Sequence, residues 1–169
     1  MTTLIIVEGI TDKSFIEGVA EKLQTQCKVH PMRGNKPDKI RRLLMAFAEE
    51  IRKAIILKDL HRGDTETTTL VSRLKMEIRK LESQRLQPQI IIVKRNVESW
   101  ILAGLSVNNP EEIPDPEEEL KKIMQKRGRH YIKSPEVYKR LAKEEVDIKK
   151  ATLKSETFKK FVEILTAKE

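Results

Sequence analysis

Two short apolar runs, each closed by a carboxylate, constrain this chain most. Leu4-Ile5-Ile6-Val7 leads into Glu8-Gly9, and Ala54-Ile55-Ile56-Leu57 leads into Lys58-Asp59. Four consecutive apolar residues without polar alternation mark a strand covered on both faces, as in a parallel sheet. Helical patterns separate the runs and supply the crossovers that a parallel sheet needs. Glu8 and Asp59 therefore fall at the carboxyl ends of strands, the edge where open α/β sheets bind ligands. Gly9 permits a sharp turn directly after Glu8. If the two strands are neighbours, Glu8 and Asp59 face each other. Two close carboxylates repel unless a cation lies between them, and hard oxygen ligands suit Mg²⁺.

The rest of the chain fills in around these runs. Phe15, Ile16, Val19, Ala20 and Leu23 predict a helix over 12–24, with Thr11 or Asp12 at its N-terminus. Asp12 reads as that cap or as a group in the outer sphere of a metal. A short strand is expected over 28–32. A helix over 37–53 follows, with Pro37 in its first turn and Ile40, Leu43, Leu44, Phe47 and Ile51 on its apolar stripe. The third strand is expected over 54–59 and a helix over 66–83, with Leu70, Leu74, Ile78 and Leu81 inward. Asp64 can cap that helix or ligate a metal. A fourth strand is expected over 89–94, its apolar run 90–93 buried on both faces. A short helix from Asn96 or Val97 then carries Glu98 in its first turn and Trp100 in the core.

Composition changes after residue 105. Pro110, Pro114 and Pro116 among acidic residues mark a surface loop, and Asp115-Pro116-Glu117-Glu118 reads as a capping box opening a helix over 116–126. Ser134-Pro135 opens another helix. Ser155 caps a last one, with Phe158, Phe161, Val162 and Leu165 inward. The fold class expected is α/β: a mainly parallel four-stranded sheet in the order 2-1-3-4, with helices on both faces. Residues 1–105 form the α/β domain, and 106–169 form a helical extension packed on it as one unit.

Three segments carry a family resemblance: Val7-Glu8-Gly9-Ile10-Thr11-Asp12-Lys13, Lys58-Asp59-Leu60-His61-Arg62-Gly63-Asp64 and Asn96-Val97-Glu98-Ser99-Trp100. Together they resemble a Toprim domain, the metal-binding module of topoisomerases, bacterial primases, OLD-type nucleases and small RNA maturases. The likeness is greatest to small stand-alone proteins related to the OLD branch and covers about residues 3–105. It implies a Mg²⁺ or Mn²⁺ site drawn from Glu8, Asp59, Glu98 and Asp64, with Glu8 as a catalytic carboxylate. It also implies a lysine beyond the Toprim segments that stabilises the transition state, for which Lys133 is the candidate. The chain departs from the family at one place. The family's second motif is Asp-x-Asp, whereas here Asp59-Leu60-His61 places a histidine at the second acidic position.

Net charge of +8 favours polyanionic partners, nucleic acid first. Basic residues gather near the turn at Arg33, Lys36, Lys39, Arg41 and Arg42 and again over 126–133, where Arg127, Arg129 and Lys133 surround Tyr131. Lys13, His61 and Arg62 lie beside the expected carboxylate edge. Few aromatics are available for base stacking, so phosphate contacts to DNA or RNA would dominate. Cys27, the sole cysteine, excludes an internal disulfide and a cysteine-rich zinc site. No apolar run approaches membrane-spanning length and no signal peptide is evident, so a cytoplasmic protein without a membrane partner is expected. Three activities compete: a Mg²⁺-dependent nuclease, a non-catalytic nucleic-acid-binding module, and nucleotidyl transfer, which ranks last because no further domain holds a template. A topoisomerase would need an attacking tyrosine, and neither Tyr131 nor Tyr138 has a recognisable setting for one. A protein partner, or a second copy of the chain, remains open.

Overall fold

The computed structural model describes residues 2–32, 36–60, 64–80 and 86–168, without the side chains of 64–68, 70 and 87. Its centre is a four-stranded, all-parallel sheet. The strands are β1 (Thr2–Val7), β2 (Cys27–Pro31), β3 (Ile51–Leu60) and β4 (Gln87–Lys94), in the order β2-β1-β3-β4. This is the order expected from the sequence. Helices α1 (Ile10–Lys22), α2 (Pro37–Phe47), α3 (Asp64–Arg79) and α4 (Val97–Gly104) connect or follow the strands.

Side-chain alternation divides the core between the two faces. Ile5, Val7, Ile55, Leu57, Ile91 and Val93 face α1 and α4. Leu4, Ile6, Ala54 and Ile56 face α2 and α3. The chain leaves β1 for the outer strand β2 and returns on the other side to β3. The crevice between the carboxyl ends of β1 and β3 is thus the topological switch point.

After a short 3₁₀ turn at Pro110–Glu112, the extension forms α5 (Pro116–Lys126), α6 (Pro135–Arg140), a π-helical turn at Leu141–Glu145, α7 (Ile148–Lys154) and α8 (Glu156–Thr166). All these helices extend the α1/α4 layer and share its core. Trp100 anchors the packing. Its ring stacks on Phe161 at 5.3 Å and meets Phe158 edge-on at 5.2 Å, while its Nε1–H donates to Thr157 Oγ1. The expected caps form: Asp115, Ser134 and Ser155 each accept a backbone N–H from the third residue onward.

Several boundaries differ from the sequence expectation. The second helix ends at Phe47 rather than 53, and Ile51 opens β3 opposite Thr2. Arg52 and Lys53 had hidden the start of the strand by breaking its apolar run. Residues 90–93 are not buried on both faces: Ile92 is 36% exposed and Ile90 half-buried. β4 is an edge strand, so helices cover its α2/α3 face incompletely. Helix α1 starts at Ile10, making Gly9 the N-cap instead of Thr11 or Asp12. Helix α3 starts at Asp64, so Asp64 is its first residue, and the segment before it lies outside the described residues. Among the described residues, no helix is long and apolar enough to cross a membrane.

Two glycines set how closely the extension docks. A Cβ on Gly18 would lie 2.7 Å from Ala142 Cβ, and one on Gly104 would lie 2.4 Å from Val146 Cγ1. Gly104→Ala gains about 1 kcal/mol of helix propensity, but overpacking typically costs about 1–3 kcal/mol. A net loss of stability is therefore expected in thermal or urea unfolding. The same substitution should cost less in a Val146→Ala background, because the clash partner is shorter.

Candidate metal and phosphate site

Four acidic residues from different elements gather at the carboxyl edge of β1 and β3. Glu8 follows β1 directly, and Asp59 is the penultimate residue of β3. Asp12 lies in the first turn of α1 and Glu98 in the first turn of α4. The parallel register causes the central contact. Ile6 is opposite Ile56, so two residues later Glu8 comes level with the Lys58-Asp59 pair.

The Asp59 carboxyl hydrogen-bonds to Glu8. Two carboxyl groups make such a bond only by sharing a proton. Burial raises the Asp59 pKa to about 10, reinforced by the hydrogen bond and charge of Glu8 and then by Asp12 and Glu98. Among the described residues, Lys58 supplies the nearest positive charge, its Nζ 2.5 Å from Glu8 Oε1. Asp12 reaches back to the N–H of Gly9, one half of a capping box. Asp12 is thus not the N-cap itself but bonds back to it from the first turn, with its charge facing the cluster. Burial lifts its carboxyl to about 6, helped by Glu98 and Glu8 and opposed by Lys133 and the Gly9 N–H.

Glu98 is only 2% exposed and is held by residues of the extension. Tyr138, fully buried, donates its O–H to Glu98 Oε1 at 2.8 Å, and Tyr131 OH lies 2.7 Å from Tyr138 OH. Burial, then the charge of Glu98, holds the Tyr138 phenol far above its ordinary pKa, so it remains a neutral donor. Lys133 Nζ stands 3.2 Å from Glu98 Oε1 and 3.2 Å from Glu117 Oε2. Burial pulls the Lys133 ammonium down, but Glu98 and Glu117 outweigh it and hold its pKa above the usual lysine value.

The fold thus brings together Glu8, Asp59, Glu98 and Lys133, all singled out from sequence. Of the other basic candidates, Lys13 and Lys36 begin helices at the carboxyl edge, and the remaining described ones are engaged by acidic partners. Lys13 is half-buried in the first turn of α1, and Lys36 is exposed at the N-cap of α2. Arg41 Nε lies 2.8 Å from Glu77 Oε2 and ties α2 to α3; this is an ion pair whose angle falls short of a hydrogen bond. Arg127 and Arg129 pair with Glu145. The neighbouring carbonyl of Val146 accepts from Lys22 in the last turn of α1, which places both arginines toward the amino edge, away from the carboxylates. Arg33, His61 and Arg62 lie outside the described residues, as does the side chain of Asp64.

Sequence reading missed Lys58, Tyr138, Tyr131 and Glu117 as parts of this cluster. Lys58 did carry a signal: a lysine at the end of a buried apolar strand needs an anion beside it. The tyrosines carried none, because their role depends on how α6 packs on α1 and turns Tyr138 toward Glu98.

The donor chemistry fits a hard divalent cation. Glu8 and Asp59 offer carboxylate oxygens in contact, and Mg²⁺ commonly takes one or two carboxylates while keeping several waters. Asn96 Oδ1, at the N-cap of α4, is a buried acceptor with no hydrogen-bond partner. Among the described residues, no group of three or more His, Cys, Asp and Glu is arranged as a ready-made metal cage.

No family model and no curated protein matches the chain. A de novo designed Rossmann-fold protein is similar over 77% of this chain and 100% of its own length, at a TM-score of 0.35 and 15% identity.

The raised Asp59 pKa has a consequence for stability. A carboxyl with a folded-state pKa above its unfolded value of 3.8 contributes stability that is complete below about pH 4 and lost as pH rises toward about 10. Asp59→Asn should therefore stabilise the metal-free protein at pH 8, by at least about 1 kcal/mol given about 1.4 kcal/mol per pKa unit. Thermal unfolding in EDTA at pH 5 and pH 8 checks this. The gain should be larger at pH 8.

Proposed function

We propose that this chain is a Toprim-type, Mg²⁺-dependent phosphodiester enzyme, a nuclease acting on DNA or RNA. One observation carries the reading. Glu8, Asp59 and Glu98, from separate strand ends, converge at the switch-point crevice with Lys133 beside them. Such crowding of negative charge is destabilising unless a cation balances it.

Glu8 and Asp59 would hold the ion. When bound, Mg²⁺ or Mn²⁺ supplies charge neutralisation of the phosphate and lowers the pKa of a coordinated water. Glu8 accepts the proton of the attacking water. The new bond forms between that water oxygen and phosphorus, while the bond from phosphorus to the leaving sugar oxygen breaks and that oxygen takes up a proton from solvent. Lys133, firmly protonated and 42% exposed at its side chain, offers positive charge to the phosphate oxygens. Tyr138 holds Glu98 in place, and Glu98 in turn positions Lys133.

The chain's net charge of +8 supplies affinity without sequence information. A second reading is a non-catalytic nucleic-acid-binding module or a subunit of a larger DNA- or RNA-processing complex. The observation that favours it is His61 at the family's second acidic position.

The test compares the parent, Glu8→Gln and His61→Asp on linear DNA and RNA with Mg²⁺ or Mn²⁺. Glu8→Gln should abolish cleavage and leave binding within a few-fold, because Gln keeps the size and loses the charge. His61→Asp should raise Mg²⁺-dependent cleavage. Retained binding with no cleavage by any of the three supports the binding module; cleavage unchanged in Glu8→Gln refutes the site. Nucleic-acid affinity should fall at least about tenfold between 50 and 200 mM salt. A flat salt response in a filter-binding or anisotropy titration would remove the phosphate-contact model.

A further inference from the structure

A lysine inside a sheet core is costly unless an anion meets it. Lys58 is 5% exposed, and its Nζ stands 2.5 Å from Glu8 Oε1. Strand alternation places this pair on the α2/α3 side of the sheet, since Ile6 and Ile56, two residues earlier on their strands, both pack there. Asp59 follows the opposite alternation, with Leu57, toward the α1/α4 layer that carries Asp12 and Glu98. Glu8 is therefore engaged from both faces, by an ammonium group on one and by Asp59 on the other.

This arrangement limits how many cations the cluster takes. A two-metal phosphodiester site needs ions about 3.5–4 Å apart, joined by shared ligands. Glu8, in contact with Asp59, is the carboxylate placed to be shared. A second Mg²⁺ on the side of Glu8 away from Asp59 would need an oxygen at about 2.1 Å. The ammonium already occupies that side, and both cannot contact Glu8 Oε1 there. Charge points the same way. Glu8, Asp12, Asp59 and Glu98 face two ammonium groups, Lys58 and Lys133. Once the ion displaces the Asp59 proton, the two net negative charges left among the described residues equal one divalent cation; Glu117 lies on the exposed side of Lys133 and is screened by solvent.

We propose that Lys58 is a fixed cation of this site, standing against Glu8 where a second divalent ion would sit, so that the carboxylate cluster takes one metal ion. The inference rests on the metal-site reading of Glu8 and Asp59, and it deepens that reading by fixing the stoichiometry. Lys58 acts as a positioning residue here, holding one face of Glu8.

Mn²⁺ titration, followed by calorimetry and by the electron paramagnetic resonance signal of free Mn²⁺, counts the ions directly. The parent should bind one Mn²⁺ per chain and Lys58→Arg also one. Lys58→Met should bind two, and its thermal midpoint should rise more with Mn²⁺ than the parent's, because its Glu8 has lost its counter-ion. Lys58→Gln, which can still donate a hydrogen bond to Glu8, replaces Lys58→Met if that variant does not fold by far-ultraviolet circular dichroism. Two ions in the parent, or one ion with unchanged affinity in the uncharged variant, would overturn the role of Lys58 and leave the metal site standing. No ion in the parent would overturn both.

Discussion

The parallel pairing of β1 with β3 forces Glu8 and Asp59 together, and the rest of the structure accommodates that contact. Neither residue can move away without breaking register, because both strands are buried on both faces and a slip would turn Leu4, Ile6, Ala54 and Ile56 out of their core. The fold answers the resulting repulsion in three ways. Burial keeps the Asp59 carboxyl protonated beside Glu8. A buried ammonium, Lys58, closes on Glu8. A second ammonium, Lys133, reaches in from the extension to Glu98. Negative charge held this way is stored rather than dispersed, and a site that stores it is suited to a cation.

The extension is part of this arrangement. Helix α6 brings Tyr138 to Glu98 and is itself fixed by the close passage of Ala142 past Gly18. Trp100 follows Glu98 by two residues on α4 and is clamped by Phe158 and Phe161 of α8. The first turn of α4, which carries Glu98, is therefore held by residues far apart in sequence. Disturbing the aromatic cluster should displace Glu98 as well as reduce stability, a coupling that burial alone would not suggest.

Much of the sheet was legible because its signals are local. Continuous apolar runs located β1 and most of β3, and capping residues located α5, α6 and α8. The misreadings have physical causes. Ile51 looked helical because Arg52 and Lys53 concealed the strand, and the 90–93 run looked central because sequence does not reveal that β4 lies at the edge. The two main carboxylates were legible because they end those runs. Lys58 was visible as an anomaly and went unread. Tyr138 and Glu117 were beyond reach, since their contacts depend on long-range packing across 40 and 16 residues. The basic run over 126–133 misled in part. Its charges look like one patch in sequence, but the fold carries Lys133 to the carboxylates and ties Arg127 and Arg129 to Glu145 near the other edge.

Anomalous diffraction from crystals soaked in Mn²⁺ tests the central idea most directly: that the switch-point carboxylates form a cation site. The expected result is one anomalous peak touching the carboxylates of both Glu8 and Asp59, on the face opposite Lys58. Mn²⁺ bound only elsewhere on the molecule, with the hydrogen bond between Glu8 and Asp59 still in place, would contradict it.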